Sequence, residues 1–512
     1  MKTSRRAFLK TAAAVSAGVA IRSEAAARKK PNLLFIWTDE QRPDTMAAYG
    51  NARIPTPHLN ALGSESVVFE RAYVTQPVCT PSRCSVMTGL WPHTAGLTTN
   101  NIPLPAAVPC FPELLGDPEY AIGYMGKWHL GNEVFPQHGF NEWISIEDNY
   151  IQYFTAGRDK AQRSDYHRFL LDRGYAPDRP QDNTFSRAFA ARRPLEHCKP
   201  KFLEEMAVDF LKRHRNRPFV LYVNFLEPHM PFFGPLDDAV RPEDVSLPAS
   251  FFRPFGENDP LRHRLRRIRD EKAYGATERD IRALIAKYWG LVAQVDLSVG
   301  AILNTLDGLG LKENTVVVYT SDHGDMMGAH GMVAKSVMYE EAVRIPWLMR
   351  IPPLGFGQTR IKTPVSHIDM VPTLLDLMGA DPRPALPGRS LVPLIRGGQP
   401  AEDHVFIEWN ADRPETGTGE RPGNVSKDEL ERLCAASEAL ARAAGSETRT
   451  VIGPDGWKLC LTRGDKSQLF NLNEDPGEME NLYYSGNCSD IIRRLTDRIH
   501  RWQEKVRDPL VL

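Results

Sequence analysis

The segment from Cys79 to Gly89 places a cysteine, a proline and an arginine within its first five residues. We interpret it as a helix that begins near Cys79 and ends at Gly89, with Thr80 and Ser82 as candidate caps. A helix N-terminus carries unpaired N–H groups and partial positive charge, and the guanidinium of Arg83 matches a tetrahedral oxyanion. The segment therefore predicts an anion site, with a buried structural cysteine beside a loop arginine as the alternative.

Four apolar runs elsewhere in the chain end in charged or imidazole side chains. Each run has the composition of a buried central strand, and together they cover residues 32–37, 121–125, 219–225 and 315–319. The side chains that follow them are Asp39 and Glu40, Lys127 and His129, His229, and Asp322 and His323. One such histidine alone could be a cap or a core residue. Because ligands bind at the carboxyl ends of strands in open α/β sheets, four such ends predict one shared site.

These side chains form a metal-binding set and a cationic set. The first set supplies mainly oxygen donors, which suit Ca²⁺ or Mg²⁺, while its one imidazole leaves Mn²⁺ or Zn²⁺ open. Its members are Asp39, Glu40, Asp322 and His323. The second set would neutralise an oxyanion and the charge that builds up as its ester breaks, and it consists of Arg83, Lys127 and Lys335, joined by His129 and His229. Together the sets imply hydrolysis of a sulfate or phosphate ester, with a histidine as general acid.

The elements that must position these residues alternate between strands and helices. Further strand candidates lie at residues 67–69 and 346–351, and helix candidates at 201–213 and 279–306, which predicts an α/β fold. The C-terminal part has short strand-like runs and a helix from 489 to 506, which predict a small antiparallel sheet with a packed helix. We therefore predict a catalytic domain over residues 28–400 and a C-terminal α+β subdomain over residues 401–512.

Length and composition exclude several classes of partner. The chain has 512 residues and a net charge of −1 with neutral histidines, so nothing favours nucleic-acid binding or a polybasic membrane anchor. The seven cysteines form no C-x-x-C pair, which argues against a structural zinc knuckle. A chain of this size does not need disulfides to be stable.

The N-terminus predicts an export signal. Residues 4–10 read S-R-R-A-F-L-K, a twin-arginine pattern, and a mildly apolar run and three alanines follow at 11–21 and 25–27. A disordered basic tail is the alternative. We predict a twin-arginine signal peptide over residues 1–27 and a mature protein in the periplasm or outside the cell. We expect no later segment to be apolar and long enough to span a bilayer, and therefore no stable membrane insertion.

Taken in order, these motifs resemble the type I sulfatase family, within the alkaline-phosphatase-like superfamily, from about Pro31 to Leu482. The motifs are T-D-E-Q-R-P-D at 38–44, C-T-P-S-R at 79–83, G-K-W-H-L-G at 126–131, E-P-H at 227–229, S-D-H-G-D at 321–325 and L-F-N-L-N-E-D-P at 469–476. The resemblance implies a large, mixed, mostly parallel sheet sandwiched by helices. It also implies that a formylglycine-generating or sulfatase-maturing enzyme converts Cys79 to Cα-formylglycine, with Pro81 and Arg83 as part of its signal.

The resemblance further implies a covalent mechanism in two steps, in which the hydrated aldehyde attacks sulfur and then expels sulfate. It assigns one divalent cation, with Ca²⁺ as the first expectation and Mg²⁺ or Mn²⁺ as alternatives, to Asp39, Glu40, Asp322, His323 and residue 79. It assigns the diol to Arg83, sulfate oxygens to Lys127 and Lys335, collapse of the sulfated intermediate to His129, and protonation of the leaving oxygen to His229. Many relatives have aspartate in place of Glu40 and asparagine in place of His323, which keeps phosphoester chemistry open.

Four functions compete on these grounds. The leading hypothesis is a sulfatase acting on a sulfated carbohydrate, because the Arg- and aromatic-rich insertion around Tyr150 to Tyr175 could hold an acidic sugar. The enzymatic alternatives are a phosphonate or phosphate monoester hydrolase and an arylsulfatase of broad range. The non-enzymatic alternative is a sulfated-glycan-binding protein in which Cys79 stays unmodified.

Overall fold

The computed structural model describes residues 29–399, 402–411, 433 and 436–512. The predicted signal peptide, residues 1–27, lies outside the described residues, as does Cys434. The residues from Pro31 to Leu512 form one compact unit. The other six cysteines are all free thiols.

The described residues contain fifteen strands and fourteen α-helices. The strands are β1 (Asn32–Asp39), β2 (Val67–Phe69), β3 (Ala72–Tyr73), β4 (Ala121–Gly126), β5 (Glu142–Ser145), β6 (Phe219–Pro228), β7 (Thr315–Ser321), β8 (Arg344–Ile345), β9 (Trp347–Arg350), β10 (Thr359–Ile361), β11 (Val365–Ser366), β12 (Val405–Trp409), β13 (Glu447–Ile452), β14 (Trp457–Arg463) and β15 (Gln468–Asn471). The helices are α1 (Pro57–Ser64), α2 (Cys79–Thr88), α3 (Pro92–Ala95), α4 (Phe111–Leu115), α5 (Asp165–Asp172), α6 (Arg187–Ala191), α7 (Lys199–His214), α8 (Leu261–Tyr274), α9 (Glu278–Gly308), α10 (Glu340–Val343), α11 (Met370–Leu377), α12 (Val392–Ile395), α13 (Ser437–Ala444) and α14 (Ser489–Val506).

Eight strands form the main sheet, in the order β10-β2-β9-β7-β1-β6-β4-β5. Every neighbouring pair is parallel except those of β9, which runs antiparallel to both β7 and β2. A small three-stranded sheet, β11-β3-β8, accompanies it. The prediction of a large, mixed, mostly parallel sheet is confirmed.

Helices cover both faces of the main sheet because its central strands are buried on both sides. On β1, Phe35 and Trp37 belong to the hydrophobic core that includes residues of α2 and α11. Leu34 and Ile36 point the other way, into a core that includes residues of α7 and α9. This alternation explains why β1 is a continuous apolar run in the sequence.

The C-terminal strands form the predicted antiparallel sheet, in the order β12-β13-β14-β15. One face of this sheet packs against α14, where the ring of Trp502 stacks on Phe406 with centroids 5.1 Å apart. The other face contributes Ile407 and Trp409 to the core of the main sheet. The domain boundary at residue 400 stays a prediction.

One helix in the described part of the chain, α9, is long and apolar enough to cross a membrane by length and composition alone, with a mean hydropathy of 1.2 in its most apolar window. The expectation that no later segment would meet this criterion is therefore wrong. Because 78% of that window is buried inside the protein, α9 has the environment of a core helix.

The end of β4 depends on a glycine. Gly126 has a φ of +119°, and a Cβ at this position would lie 1.8 Å from the carbonyl oxygen of Asn224 on β6. The N–H of the next residue, Lys127, donates to the same oxygen at 3.3 Å. Only glycine allows the two backbones to approach this closely while the chain turns out of β4.

Replacing Gly126 with alanine should lower the free energy of unfolding by about 2–4 kcal/mol, because the new methyl group would displace β4 from β6. Urea denaturation monitored by tryptophan fluorescence measures the change. Gly308→Ala is the control, since Gly308 ends α9 and a Cβ there meets nothing within 4 Å. Equal stability of the two variants would contradict this account of the β4 turn.

Candidate active site

Four adjacent strands of the main sheet bring the predicted side chains to one edge. Asp39 ends β1, Lys127 follows β4, His229 follows β6 and Asp322 follows β7. All four side chains are buried, with exposed fractions of 8% or less. Parallel strands end at the same edge of a sheet, so side chains that are far apart in the sequence meet here.

Helix α2 begins at this edge, with Cys79 as its first residue. All ten of its residues are buried. The prediction that Thr80 and Ser82 cap the helix is wrong, because both lie inside it and no side chain of the preceding residue caps it. The N–H of Thr80 donates instead to Oδ1 of Asn100 at 2.9 Å. The helix ends before Gly89, whose φ of 71° closes it as predicted.

The guanidinium of Arg83 connects residues at the ends of β1, β4 and β7 with Asn224 of β6. Its Nε donates to Asp322 Oδ2 at 2.9 Å and its Nη2 donates to Asp39 Oδ2 at 2.8 Å. Its Nη1 donates to the carbonyl oxygen of Lys127 and to Oδ1 of Asn224, both at 2.7 Å. None of these bonds reaches the cysteine, so the expected contact between Arg83 and a diol at residue 79 stays a prediction.

Four of the five predicted metal ligands form a compact cluster. The candidate ligand atoms of Asp39, Cys79, Asp322 and His323 all lie within 4.8 Å of one another. Nε2 of His323 lies 3.2 Å from the Cys79 sulfur and 3.6 Å from Asp322 Oδ1. Nδ1 of His323 lies 3.0 Å from the carbonyl oxygen of Gly324, which fixes the proton on Nδ1 and leaves the Nε2 lone pair directed at the cluster.

The electrostatics of the cluster also fit a cation. Burial by itself lowers the pKa of His323, but Asp322 and Cys79 outweigh it and raise that pKa to about 9. The surroundings therefore favour positive charge at the Nε2 position, which a divalent ion would supply in place of a proton. Two carboxylates, one imidazole and one further side chain are a donor set that Ca²⁺, Mg²⁺ or Mn²⁺ can use.

Glu40 lies at the rim of this cluster. Its Oε1 pairs with Lys335, and its Oε2 is buried without a hydrogen-bond partner among the described residues. This Oε2 lies 3.9 Å from Nε2 of His229, and Glu40 groups with His229 and Asp39 instead of with Asp322. The buried oxygen without a partner is available to a ligand, and the metal role of Glu40 stays a prediction.

The charges of both predicted lysines act on Cys79. Lys127 pairs with Asp39, and its Nζ lies 3.9 Å from the Cys79 sulfur. Burial opposes the charge on Lys127 and Lys335, but neighbouring anionic groups raise both pKa values above the ordinary lysine value. For Asp39 and Cys79 burial acts to raise the pKa, yet the surrounding cations lower it for both groups. Residue 79 therefore lies in a field that stabilises negative charge on it.

The two predicted histidines are neutral in this environment. Burial, followed by Lys127 for His129 and by Lys335 for His229, lowers both pKa values well below that of a free histidine. Nε2 of His129 lies 2.9 Å from Asn101 Oδ1, and its Nδ1 has no partner among the described residues. Nδ1 of His229 lies 2.8 Å from the carbonyl oxygen of Met230, so its Nε2 is the atom free to exchange a proton.

The profile of the Sulfatase family matches residues 31–380, which is more than half of the chain. The chain belongs to the sulfatase family. Its sequence is 28% identical to the uncharacterized sulfatase YidJ of Escherichia coli (strain K12) over 501 residues, which cover 94% of this chain and 88% of that protein.

Two other proteins are similar to this sulfatase, one in sequence and one in fold. It is 26% identical to the N-acetylglucosamine-6-O-sulfatase of Bacteroides thetaiotaomicron, over 99% of this chain and 92% of that protein. The fold matches the crystal structure of the phosphonate monoester hydrolase of Agrobacterium radiobacter with a TM-score of 0.72, at 22% identity, over 93% of this chain and 96% of that one. The alkaline-phosphatase-like fold expected from the resemblance is therefore confirmed, and the chain is a sulfatase-family enzyme.

The edge of the main sheet that holds these side chains borders a cavity of about 870 Å³. Cys79, His129, His229 and Lys335 all contribute to its lining. The other residues around it are Asn100, Asn101, Asn149, Tyr150, Gln152, Tyr153, Arg179, Ser186, Arg187, Ala188, Met230, Pro231, Phe232, Phe233, Tyr274 and Leu284. A volume of this size is in the range of small-molecule binding sites.

Several residues of the site were not predicted from the sequence. Asn224 interrupts the apolar run of β6, and a polar residue inside a buried strand was a signal that could have identified it. Tyr150 stacks on His129 with ring centroids 4.1 Å apart. Arg187 donates to the hydroxyl of Tyr150 at 2.7 Å. Both belong to the polar insertion, where no periodicity separates structural residues from functional ones.

Proposed function

We propose that this sulfatase removes sulfate from a sulfated carbohydrate and that residue 79 is the centre of the reaction. One observation carries the proposal: the Cys79 sulfur lies 3.2 Å from His323 Nε2, 3.7 Å from Asp39 Oδ1 and 3.9 Å from Lys127 Nζ. One side-chain position is thus in contact with both the metal-binding cluster and the cationic set. A nucleophile at this position would act where an anionic ester is neutralised on two sides.

Two groups must be supplied to the chain for this chemistry. We propose that a formylglycine-generating or sulfatase-maturing enzyme converts Cys79 to Cα-formylglycine, whose hydrated aldehyde supplies the nucleophile that attacks sulfur. Asp39, Asp322, His323 and residue 79, with Glu40 at the rim, would hold one divalent cation, with Ca²⁺ preferred and Mg²⁺ or Mn²⁺ as alternatives. When bound, the cation supplies fixed positive charge that stabilises the negative charge of the ester oxygens.

The side chains of this protein bind and orient the ester. Lys127 and Lys335 would bind its sulfate oxygens, since both are charged and adjacent to residue 79. His229 would protonate the leaving oxygen through Nε2, after the bound sulfate anion raises the pKa of the histidine. His129 would take up a proton at Nδ1 when the sulfated intermediate collapses, because Asn101 occupies its other nitrogen.

The carbohydrate part of the proposal is supported by relatives and by the cavity. The relative from Bacteroides thetaiotaomicron, similar over almost the whole chain, is an N-acetylglucosamine-6-O-sulfatase. The cavity lining includes several amides and the aromatic rings of Phe232, Phe233 and Tyr274. This combination suits a sugar, which has polar edges and an apolar ring face.

A phosphonate or phosphate monoester hydrolase is the second candidate, because the fold matches that of a phosphonate monoester hydrolase. The charged side chains at the strand ends of this protein would also neutralise a phosphate ester. An arylsulfatase of broad range is the third. Comparing turnover of a sugar sulfate, an aryl sulfate, an aryl phosphate and an aryl phosphonate separates all three. Turnover of the phosphonate at a higher kcat/KM than either sulfate would contradict the leading proposal.

The place of action is proposed from the N-terminal sequence. The twin-arginine pattern at residues 4–10 supports export to the periplasm or the cell exterior, although residues 1–27 lie outside the described residues. Because the twin-arginine route carries folded proteins, conversion of Cys79 would precede export.

Replacing Cys79 with alanine should reduce turnover on the order of 10⁵–10⁶-fold, the loss found when a nucleophile is removed, while leaving the melting temperature nearly unchanged. Cys84→Ala is the matched control, since Cys84 is equally buried on α2 and contacts Thr88 instead of the cluster. Mass spectrometry of the peptide that contains residue 79 should show the aldehyde. An unmodified thiol throughout fully active protein would exclude this mechanism. An unmodified thiol in protein that shows no turnover would favour the glycan-binding alternative.

Adding Ca²⁺ to chelator-treated protein should raise the free energy of unfolding by about 2.7 kcal/mol when the ion is present at 100 times its dissociation constant. Differential scanning calorimetry measures the shift without any need for turnover. Asp322→Asn should remove the shift, whereas Glu402→Gln should retain it, because Glu402 belongs to a separate acidic group with Asp403 and His404. Retention of the full shift in Asp322→Asn would place the ion elsewhere.

His229→Gln should lower kcat roughly 10²–10⁴-fold on a sugar sulfate but less than about tenfold on 4-nitrophenyl sulfate. The reason is that nitrophenolate leaves without a proton, whereas a sugar alkoxide does not. His93→Gln serves as the control, since Nδ1 of His93 lies 2.7 Å from Glu408, outside the cavity. Equal losses on both substrates would show that His229 is not the general acid.

A further inference from the structure

The active-site cavity has a cationic side that the reaction at residue 79 does not use. The segment that contains α5 and α6 contributes Asn149, Tyr150, Arg179 and Arg187 to the cavity lining. Among the described residues that line the cavity there are three cations, with Lys335 as the third, and no aspartate or glutamate. The cavity is therefore electropositive beyond the two lysines that would bind the sulfate ester.

Arg187 carries a charge that the protein already uses. Its Nε donates to Glu147 Oε2 at 2.7 Å, and its Nη2 donates to the hydroxyl of Tyr150 at 2.7 Å. Lys199 pairs with the same carboxylate of Glu147. Two cations thus share one anion, so this group as a whole keeps an excess of positive charge.

Arg179 has no carboxylate partner among the described residues. Its Nη1 donates to Oδ1 of Asn149 at 3.1 Å, which is the one side-chain hydrogen bond it makes within the described part of the chain. Two backbone hydrogen bonds hold Arg179 in place. Its N–H donates to the carbonyl oxygen of Thr184 at 3.1 Å, and its carbonyl oxygen accepts from the N–H of Thr184 at 3.2 Å. The neighbouring carboxylate of Asp178 accepts from the N–H and hydroxyl of Ser186. Within the described residues the guanidinium is thus positioned by Asn149 but forms no ion pair.

This cationic side adjoins the position proposed for the sulfate ester. The ring of Tyr150 stacks on His129 at 4.1 Å, and its centroid lies 5.9 Å from Lys127 Nζ and 5.7 Å from the Arg187 guanidinium carbon. Asn149, the partner of Arg179, is the residue before Tyr150. The ring of Tyr150 therefore lies close to His129, Lys127 and Arg187 at once.

We propose that the substrate carries a second anionic group besides the sulfate that is cleaved, and that Arg179 binds it. The group is a carboxylate, as in a uronic acid, or a second sulfate. The inference rests on the proposed function and specifies its substrate class. Arg179 is half-buried and has no carboxylate partner among the described residues, and an oxyanion that binds through two oxygens would accept hydrogen bonds from its remaining N–H groups.

The test uses ligands that differ in their number of anionic groups. N-acetylglucosamine 6-sulfate has one, glucosamine-2-N,6-O-disulfate has a second sulfate, and a monosulfated chondroitin disaccharide has a carboxylate. Each is measured as a competitive inhibitor of 4-nitrophenyl sulfate hydrolysis by the mature, metal-loaded enzyme. The wild type should bind at least one dianionic ligand roughly 10- to 100-fold more tightly than the monoanion. The carboxylate and disulfate arms identify which second anion the site prefers.

Arg179→Gln should remove this preference while leaving kcat/KM for 4-nitrophenyl sulfate within about twofold of the wild type. Arg168→Gln, which removes the same charge from an exposed arginine paired with Asp165, should leave both quantities unchanged. The proposal is overturned if the wild type binds no dianion more tightly, if Arg179→Gln keeps the preference, or if it loses aryl sulfate turnover in parallel.

The outcome also separates this inference from the proposed function. Turnover of monosulfated sugars without a preference for dianions would leave a carbohydrate sulfatase and overturn only the role of Arg179. If the enzyme turns over aryl phosphonate in place of sulfates, the same ligands are measured as competitive inhibitors of phosphonate hydrolysis. A preference for dianions that disappears in Arg179→Gln in that assay would leave the anion subsite and overturn the sulfatase reaction.

Discussion

The arrangement of charged side chains at this edge of the main sheet depends on one buried guanidinium. Arg83 is completely inaccessible to solvent and bonds Asp39, Asp322, the backbone of Lys127 and the side chain of Asn224. Asp39, Lys127 and Asp322 lie at or directly after the ends of their strands, whereas Asn224 lies within β6. Burying such a charge is costly unless its donors are satisfied, and here two carboxylates and two neutral oxygens satisfy them. A lysine could not replace it, because one ammonium cannot direct donors to four strands at once.

This arrangement also determines the protonation of the groups around residue 79. Asp39 is shared by Arg83 and Lys127, so it stays ionised although it is buried. Burial, together with the same cations, lowers the pKa of His129 well below that of a free histidine. The site therefore holds an ionised Asp39 and a neutral His129 side by side. An anion that enters the site would raise the pKa of His129, because its charge would offset that of the two cations.

The sequence predicts the strand ends well and their surroundings poorly. Asp39 and Asp322 could be identified because each follows a continuous apolar run, and such runs form strands whose ends meet at one edge. The cap of α2 could not, since Asn100 bonds the helix from another segment and no local pattern encodes that contact. Tyr150 and Arg187 were missed because a polar insertion without periodicity gives no indication of which side chains turn inward.

The difference between the strand ends and the polar insertion also explains how one fold can act on several kinds of ester. The strand ends supply a rigid set of charges that neutralises a tetrahedral anion, and sulfate, phosphate and phosphonate esters all present one. The phosphonate monoester hydrolase of Agrobacterium radiobacter shares this fold at 22% identity. What surrounds the leaving group comes instead from loops and short helices, where Arg179 is held by the Thr184 bridge and by no strand of a sheet. We therefore expect the insertion to select among substrates. We expect the metal-binding and cationic sets at the strand ends to determine which kind of ester reacts.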